Sequence, residues 1–326
     1  MQENTGLNIG PSIRSYAPGS KYIEGQDRED EMKELKEKFI VATDWREEHY
    51  NDVIRRLAAD EKTKEALNNK KDALNTHNDI VFDYAHELSK ELDLSDEEKV
   101  AVLIGVILHD SGKLEVDDLE HHLKGMELAR KFFSGLSANQ KFNGITITPE
   151  IKEMVINSIE CHMNHPYLIW RNKGDRFPEA KTNVAKAVAD ADMLANIGFK
   201  NVALRVCIPS LFNEDVLAAK DGKFLTQAFR NVVEGDKFGA IKLDQTVLTE
   251  PAINRAKELI GNLQEIYKDL IDNGALDELQ EKYYKEVDGK VYISSAAKLK
   301  KELNEKIKDT GKKFGVDKKI LDKFVM

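Results

Sequence analysis

The chain has 326 residues, 41% of them apolar and 33% charged, which is ample for a sizeable core and points to a soluble, globular protein. A formal net charge of −9 argues against broad, sequence-independent binding to duplex nucleic acid, which needs a basic face, but leaves room for a small phosphorylated substrate held by local cations. Two cysteines, Cys161 and Cys207, are too few for a disulfide framework or a zinc ribbon.

Residues 1–24 are rich in Gly, Ser, Pro and Asn and read as a mobile tail or strap. They lack the apolar stretch of a signal peptide, and the longest greasy run, Val100 to Leu108, is far too short to span a bilayer, so a cytoplasmic protein with no membrane partner is expected. No proline occurs between Pro18 and Pro149, and Glu, Lys, Leu and Ala dominate, which predicts long helices, including a helical extension over 25–69. From about Lys70 to Leu92, His77, Val81, Tyr84, Ala85 and Leu88 recur on one helical face. "LSDEEK" opens the next helix, with Ser95 as N-cap and acids in the first turn, and that helix runs through "VAVLIGVIL". Further helices are expected over Asp117–Leu136, over Thr148–Met163 with Thr148 as N-cap and Pro149 at the first helical position, and over Lys181–Ile197. After Gly198 helices are expected over Ser210–Val233, Glu250–Asn273 and Ala296–Asp309, with a strand or hairpin at "DGKVYISS". Residues 201–326 thus read as a helical region packing on a core over 70–200. The segment Lys298–Lys323 carries ten lysines against five acids, most simply a solvated helical face.

The greasiest helix ends abruptly in His109-Asp110, with Lys113 close behind. Seven of the eight histidines lie between His77 and His165, and "VAKAVADADML" puts Asp192 on the face of Val184, Val188 and Ala195, where a carboxylate is costly unless paired or metal-bound. Imidazole and carboxylate together suit Mn, Fe, Ni, Co or Zn, with Mg less at home. One ion is satisfied by His77, His109, Asp110 and Asp192; a second by His121 and His162, with Asp110 bridging. Two ions roughly 3.5–4 Å apart can clamp an in-line displacement at phosphorus. Lys113, Arg171, Lys173 and Arg176 are candidate phosphate contacts, although a solvated loop explains the last three as well. Tyr167 or Trp170 could stack on a base, and buried packing is the plainer reading of both. Asp190, about 200° around the helix from Asp192, reads as a cap or a supporting partner.

These stretches resemble the HD-domain superfamily of metal-dependent phosphohydrolases, through "THNDIVFDYAHEL", "LHDSGK", "HHLKGMELA", "SIECHMNH" and "VADADML", over roughly Lys70 to Gly198. The resemblance implies an all-α fold, an HD-type helical core with additional N- and C-terminal helices. It implies the set His77, His109, Asp110 and Asp192, with His121 and His162 completing a binuclear site. It favours His121 over His122 through the spacing to Gly125, and His162 over His165; where some binuclear members carry a second histidine after the first, this chain has Met163. The activity implied is hydrolysis of a phosphodiester or nucleotide with metal-activated water, with Asp110 and Lys113 as catalytic groups. Two alternatives stay open: a di-iron oxygenase, which on this scaffold uses the same six ligands and a lysine after His-Asp, and a catalytically weak nucleotide sensor. "GDRFP", Gly174–Pro178, lacks the Gly-Tyr-Pro signature of cyclic-dinucleotide phosphodiesterases. A homo-oligomer is compatible with the helical extensions.

Overall fold

A computed structural model describes residues 25–197, 223–233, 246–287, 290–318 and 321. The described residues fall into two units, helix α1 (Gly25–Glu37) and the residues from 38 onward, and the tail expected over 1–24 lies outside the described residues. In the larger unit the helices are α2 (Ile40–Leu57), α3 (Glu61–Glu91), α4 (Asp96–Leu108), α5 (His121–Gly135), α6 (Pro149–Cys161), α7 (Pro166–Arg171) and α8 (Asn183–Ile197). They continue as α9 (Phe224–Val233), α10 (Glu250–Asp272), α11 (Ala275–Tyr283) and α12 (Ala296–Lys313). The fold is all-α: among the described residues strands are confined to two short antiparallel hairpins, Lys141–Phe142 with Ile145–Thr146 and Tyr284–Val287 with Lys290–Ile293. Among the described residues no helix is long and apolar enough to cross a membrane.

Helix α4 is the axis of the core. It is buried at every residue from Val100 to Leu108 and packs against α3, α6 and α8. A helix that is apolar all round has no face to give to water, so its neighbours enclose it. Its start is fixed by a capping box: Ser95 Oγ accepts from Glu98 N at 3.2 Å while Ser95 N donates to Glu98 Oε2 at 2.9 Å. Thr148 caps α6, accepting from Ile151 N at 3.3 Å, with Pro149 just inside.

Several boundaries differ from the sequence expectation. Helix α3 starts at Glu61, not near Lys70, because Asp60 accepts from Thr63 N at 2.7 Å and caps a run of good helix formers whose mostly exposed side chains carry little apolar periodicity. Helix α5 starts at His121, not Asp117: Asp117 turns back to accept from Leu119 N at 3.0 Å, a local bond that competes with helix. Helix α12 continues to Lys313. Of the helix expected over 210–233, the part before residue 223 lies outside the described residues. Lysines of the basic C-terminal segment pair with acids, Lys306 with Glu278 at 3.2 Å and Lys313 with Asp269 at 2.7 Å.

Helix α10 lies against α3 and α8. Arg255 on α10 reaches Glu87 and Glu91 on α3, each at 3.0 Å. Asp190 on α8 accepts from Leu248 N (2.6 Å), Thr249 N (2.9 Å) and Thr249 Oγ1 (2.6 Å), so it caps the start of α10 from outside that helix. Burial pushes its carboxyl up to about 6, against the opposing pull of these three donors.

Candidate metal centre

Five helical elements deliver six side chains to one place. His77 comes from α3; His109 and Asp110 follow the last turn of α4; His121 is the first residue of α5; His162 is the C-cap of α6; Asp192 comes from α8. All six are between 0 and 6% exposed. They fall into two groups, His77 with His109 and Asp192, and Asp110 with His121 and His162, within each of which one donor atom per residue lies within 4.8 Å of the others.

Asp110 faces both groups. Its Oδ2 lies 3.5 Å from His109 Nε2 and 3.8 Å from His77 Nε2, and its Oδ1 lies 3.3 Å from His121 Nε2 and 3.8 Å from His162 Nε2. In the first group Asp192 Oδ1 is 2.8 Å from His77 Nε2 and 3.8 Å from His109 Nε2. In the second, His121 Nε2 and His162 Nε2 are 3.0 Å apart.

The tautomers follow from the backbone. His109 Nδ1 is 2.7 Å from Val106 O, His121 Nδ1 2.6 Å from Asp118 O, and His162 Nδ1 2.6 Å from Ile159 O. A carbonyl only accepts, so each Nδ1 carries the proton and each Nε2 is left to present a lone pair inward. Two lone pairs 3.0 Å apart repel unless a proton or a cation lies between them. His109 Nε2 is buried and has no hydrogen-bond partner. An inward set of imidazole lone pairs and carboxylates fits one or two divalent transition ions, with the backbone bonds fixing ring orientation as outer partners of metal-bound histidines do.

The charges agree. Burial would raise the Asp110 carboxyl, but His109, Lys113 and His121 outweigh it and hold it well below the usual carboxylate range. Burial would likewise raise Asp192, which His77 and His109 hold down. Burial, reinforced by His121 and His109, lowers His162 well below an ordinary histidine, so that ring is neutral and able to ligate. Lys113 Nζ sits 2.7 Å from Asp110 Oδ2; burial would lower its pKa, but Asp110 and Asp192 raise it and keep the ammonium charged.

The Arg171 guanidinium closes on Asp118 Oδ2 at 3.0 Å and Asp117 Oδ2 at 2.9 Å. Lys173 and Arg176 are exposed in the loop after α7. The side chains of Tyr167 and Trp170 lie outside the described residues. His122 turns away from the six, edge-on to Phe177 at 5.4 Å. Gly125 explains the spacing after His121: a Cβ there would meet His109 O at 3.2 Å and Ile159 Cγ2 at 3.0 Å, so its absence lets α5 approach the ends of α4 and α6. Asn196 was not singled out in the sequence; its Nδ2 donates to Asp192 Oδ1 at 3.1 Å, and its place one turn after Asp192 is the signal that could have found it.

Residues 76–197 match the family model described as HD domain. The matched segment holds all six of these side chains, and the match is consistent with the HD-domain superfamily, a family typically of metal-dependent hydrolases. No curated protein and no solved structure matches the chain.

Proposed function

We propose that the protein is a metal-dependent phosphohydrolase acting on a phosphodiester or nucleotide, with His77, His109, Asp110 and Asp192 holding one ion and His121, His162 and Asp110 a second. The observation that carries this reading is the single carboxylate of Asp110 turned toward both groups, Oδ2 to one and Oδ1 to the other. Bound ions supply Lewis acidity and acidify water at neutral pH. The chain's own residues set up the rest. Asp110 and Asp192 stay ionised, the backbone-anchored rings keep Nε2 inward, and burial keeps bulk water from the carboxylates. The Lys113 ammonium, held by Asp110, is placed to exchange to a phosphoryl oxygen and to oppose negative charge as it develops there. The substrate is a phosphorylated small molecule rather than duplex nucleic acid, in keeping with a net charge of −9.

The test is elemental analysis of the purified protein, then a screen of phosphomonoesters, cyclic nucleotides and dinucleotides with and without Mn. Metal-dependent release of phosphate or nucleoside monophosphate is expected from at least one ester, and it should vanish in His109→Ala. Iron with oxygen uptake and no ester cleavage would replace the reading with the di-iron oxygenase; bound metal with no turnover of any kind would leave a nucleotide sensor.

A further inference from the structure

The carbonyls at the end of α4 need partners from outside the helix. A helix leaves its last carbonyls without intrahelical donors, and a left-handed glycine often satisfies them. Here that solution is absent: His109 is still helical at φ −53°, ψ −40°, and Asp110 leads directly into the 3-10 turn Ser111–Leu114. Gly105 O takes His109 N at 2.8 Å. Val106 O takes His109 Nδ1 at 2.7 Å and also Asn78 Nδ2. Ile107 O takes Arg46 Nη1 at 3.2 Å, and Asp110 O takes the Tyr50 hydroxyl at 3.3 Å besides Lys113 N at 3.0 Å.

Arg46 and Tyr50 stand one turn apart on α2, only 5% and 1% exposed. The other arm of the Arg46 guanidinium donates to Asn75 Oδ1 at 3.1 Å, and its carbon lies 5.9 Å from the Tyr50 ring centroid. A buried cation thus faces the negative end of the α4 dipole, on the turn that carries two metal-competent side chains. Both residues precede the segment that matches the HD family, 76–197.

We propose that Arg46 and Tyr50 are positioning residues for the metal centre, bracing the His109–Asp110 turn from α2 and so setting its affinity for metal. This rests on the metal-centre reading above. Without Arg46 the buried Ile107 carbonyl keeps only the long bond from Asn78 Nδ2 at 3.4 Å, the turn rearranges to satisfy it better, and His109 and Asp110 move with the turn.

The test loads the full chain with Co(II) and reads affinity, visible absorption and urea stability for wild type, Arg46→Met, Arg46→Lys, Tyr50→Phe and Leu263→Ala. Leu263 is a buried α10 residue whose truncation destabilises without touching the turn. Expected are a roughly 10–100-fold loss of Co(II) affinity with an altered spectrum in Arg46→Met, partial recovery in Arg46→Lys, which keeps a cation and a donor, and a smaller loss in Tyr50→Phe. Leu263→Ala should lose stability alone. Wild-type affinity and spectrum in both Arg46→Met and Tyr50→Phe, or an equal change in Leu263→Ala, overturns the proposal; if Arg46→Met does not fold, Tyr50→Phe decides. A wild-type protein that takes up no Co(II) overturns the metal-centre reading itself, and this inference with it.

Discussion

Substituting Gly112 by alanine should remove one ion and spare the other. Gly112 sits in the turn between Asp110 and Lys113, where a Cβ would lie 2.7 Å from His121 O and 2.9 Å from Lys124 Cβ. Ordinary contacts of this kind are near 3.5–4 Å, so the turn and the start of α5 must separate by about 0.7 Å or more. Neither obstacle is a flexible side-chain end: one is backbone and the other is a Cβ. Overpacking of this sort costs ~1–3 kcal/mol. The same displacement acts on His121, whose Nε2 now stands 3.3 Å from Asp110 Oδ1 and 3.0 Å from His162 Nε2. Metal sites tolerate only about 0.2 Å in ligand distance. In the two-ion reading proposed above, Gly112→Ala should therefore drop the metal content from two equivalents to one, with His77 on α3 and Asp192 on α8 undisturbed. Elemental analysis and calorimetric titration with Mn would show it. Two equivalents retained at wild-type affinity, with unchanged melting temperature, would refute the reasoning.

Asp192→Asn replaces the carboxylate of the first group by a neutral amide, and metal titration should show that site lost or greatly weakened while Asp110, His121 and His162 keep theirs. Lys113→Met should retain metal but lose roughly 10²-fold in kcat/KM on a phosphorylated substrate; unchanged turnover would remove Lys113 from the machinery. For Asp190 the sign runs toward acid. Its folded-state carboxyl lies at about 6 against an ordinary 3.8, so the folded state takes up a proton more readily than the unfolded one. That contribution, about 3 kcal/mol, is fully present below about pH 4 and is lost as pH rises through about 6. Urea unfolding in EDTA between pH 4 and 7 should show a limb in wild type that is missing in Asp190→Asn, and parallel curves would contradict it.

What could be read from the residues alone follows from the range of the forces involved. Helix α4 was visible because an all-apolar run must be enclosed, and the pair after it stood out because nothing polar belongs there without a partner. Asp192 was visible for the same reason, on an apolar face. His121 and His122 could not be separated by periodicity; the likeness to a known family favoured the first, and the fold turns the second onto Phe177. The first turns of α3 were invisible because their mostly exposed side chains carry little pattern. Arg171 reads as a loop cation, yet its partners Asp117 and Asp118 lie more than fifty positions away in the chain, a pairing only the fold can bring about. Arg46 and Tyr50 lacked any signal for the same reason: both contact backbone carbonyls some sixty residues distant, and a carbonyl has no letter in the sequence.

Asp190 and Asp192 look in nearly opposite directions from one helix, the first anchoring the C-terminal helices and the second joining the histidines. The rotational setting of α8 is therefore specified twice. Removal of Ala191 alone would swing one carboxylate about 100° relative to the other, so no single rotation of the helix could restore both. Relatives of this protein should accordingly vary in length before Asn183 or beyond Ile197, and keep one residue, no more and no fewer, between those two acids.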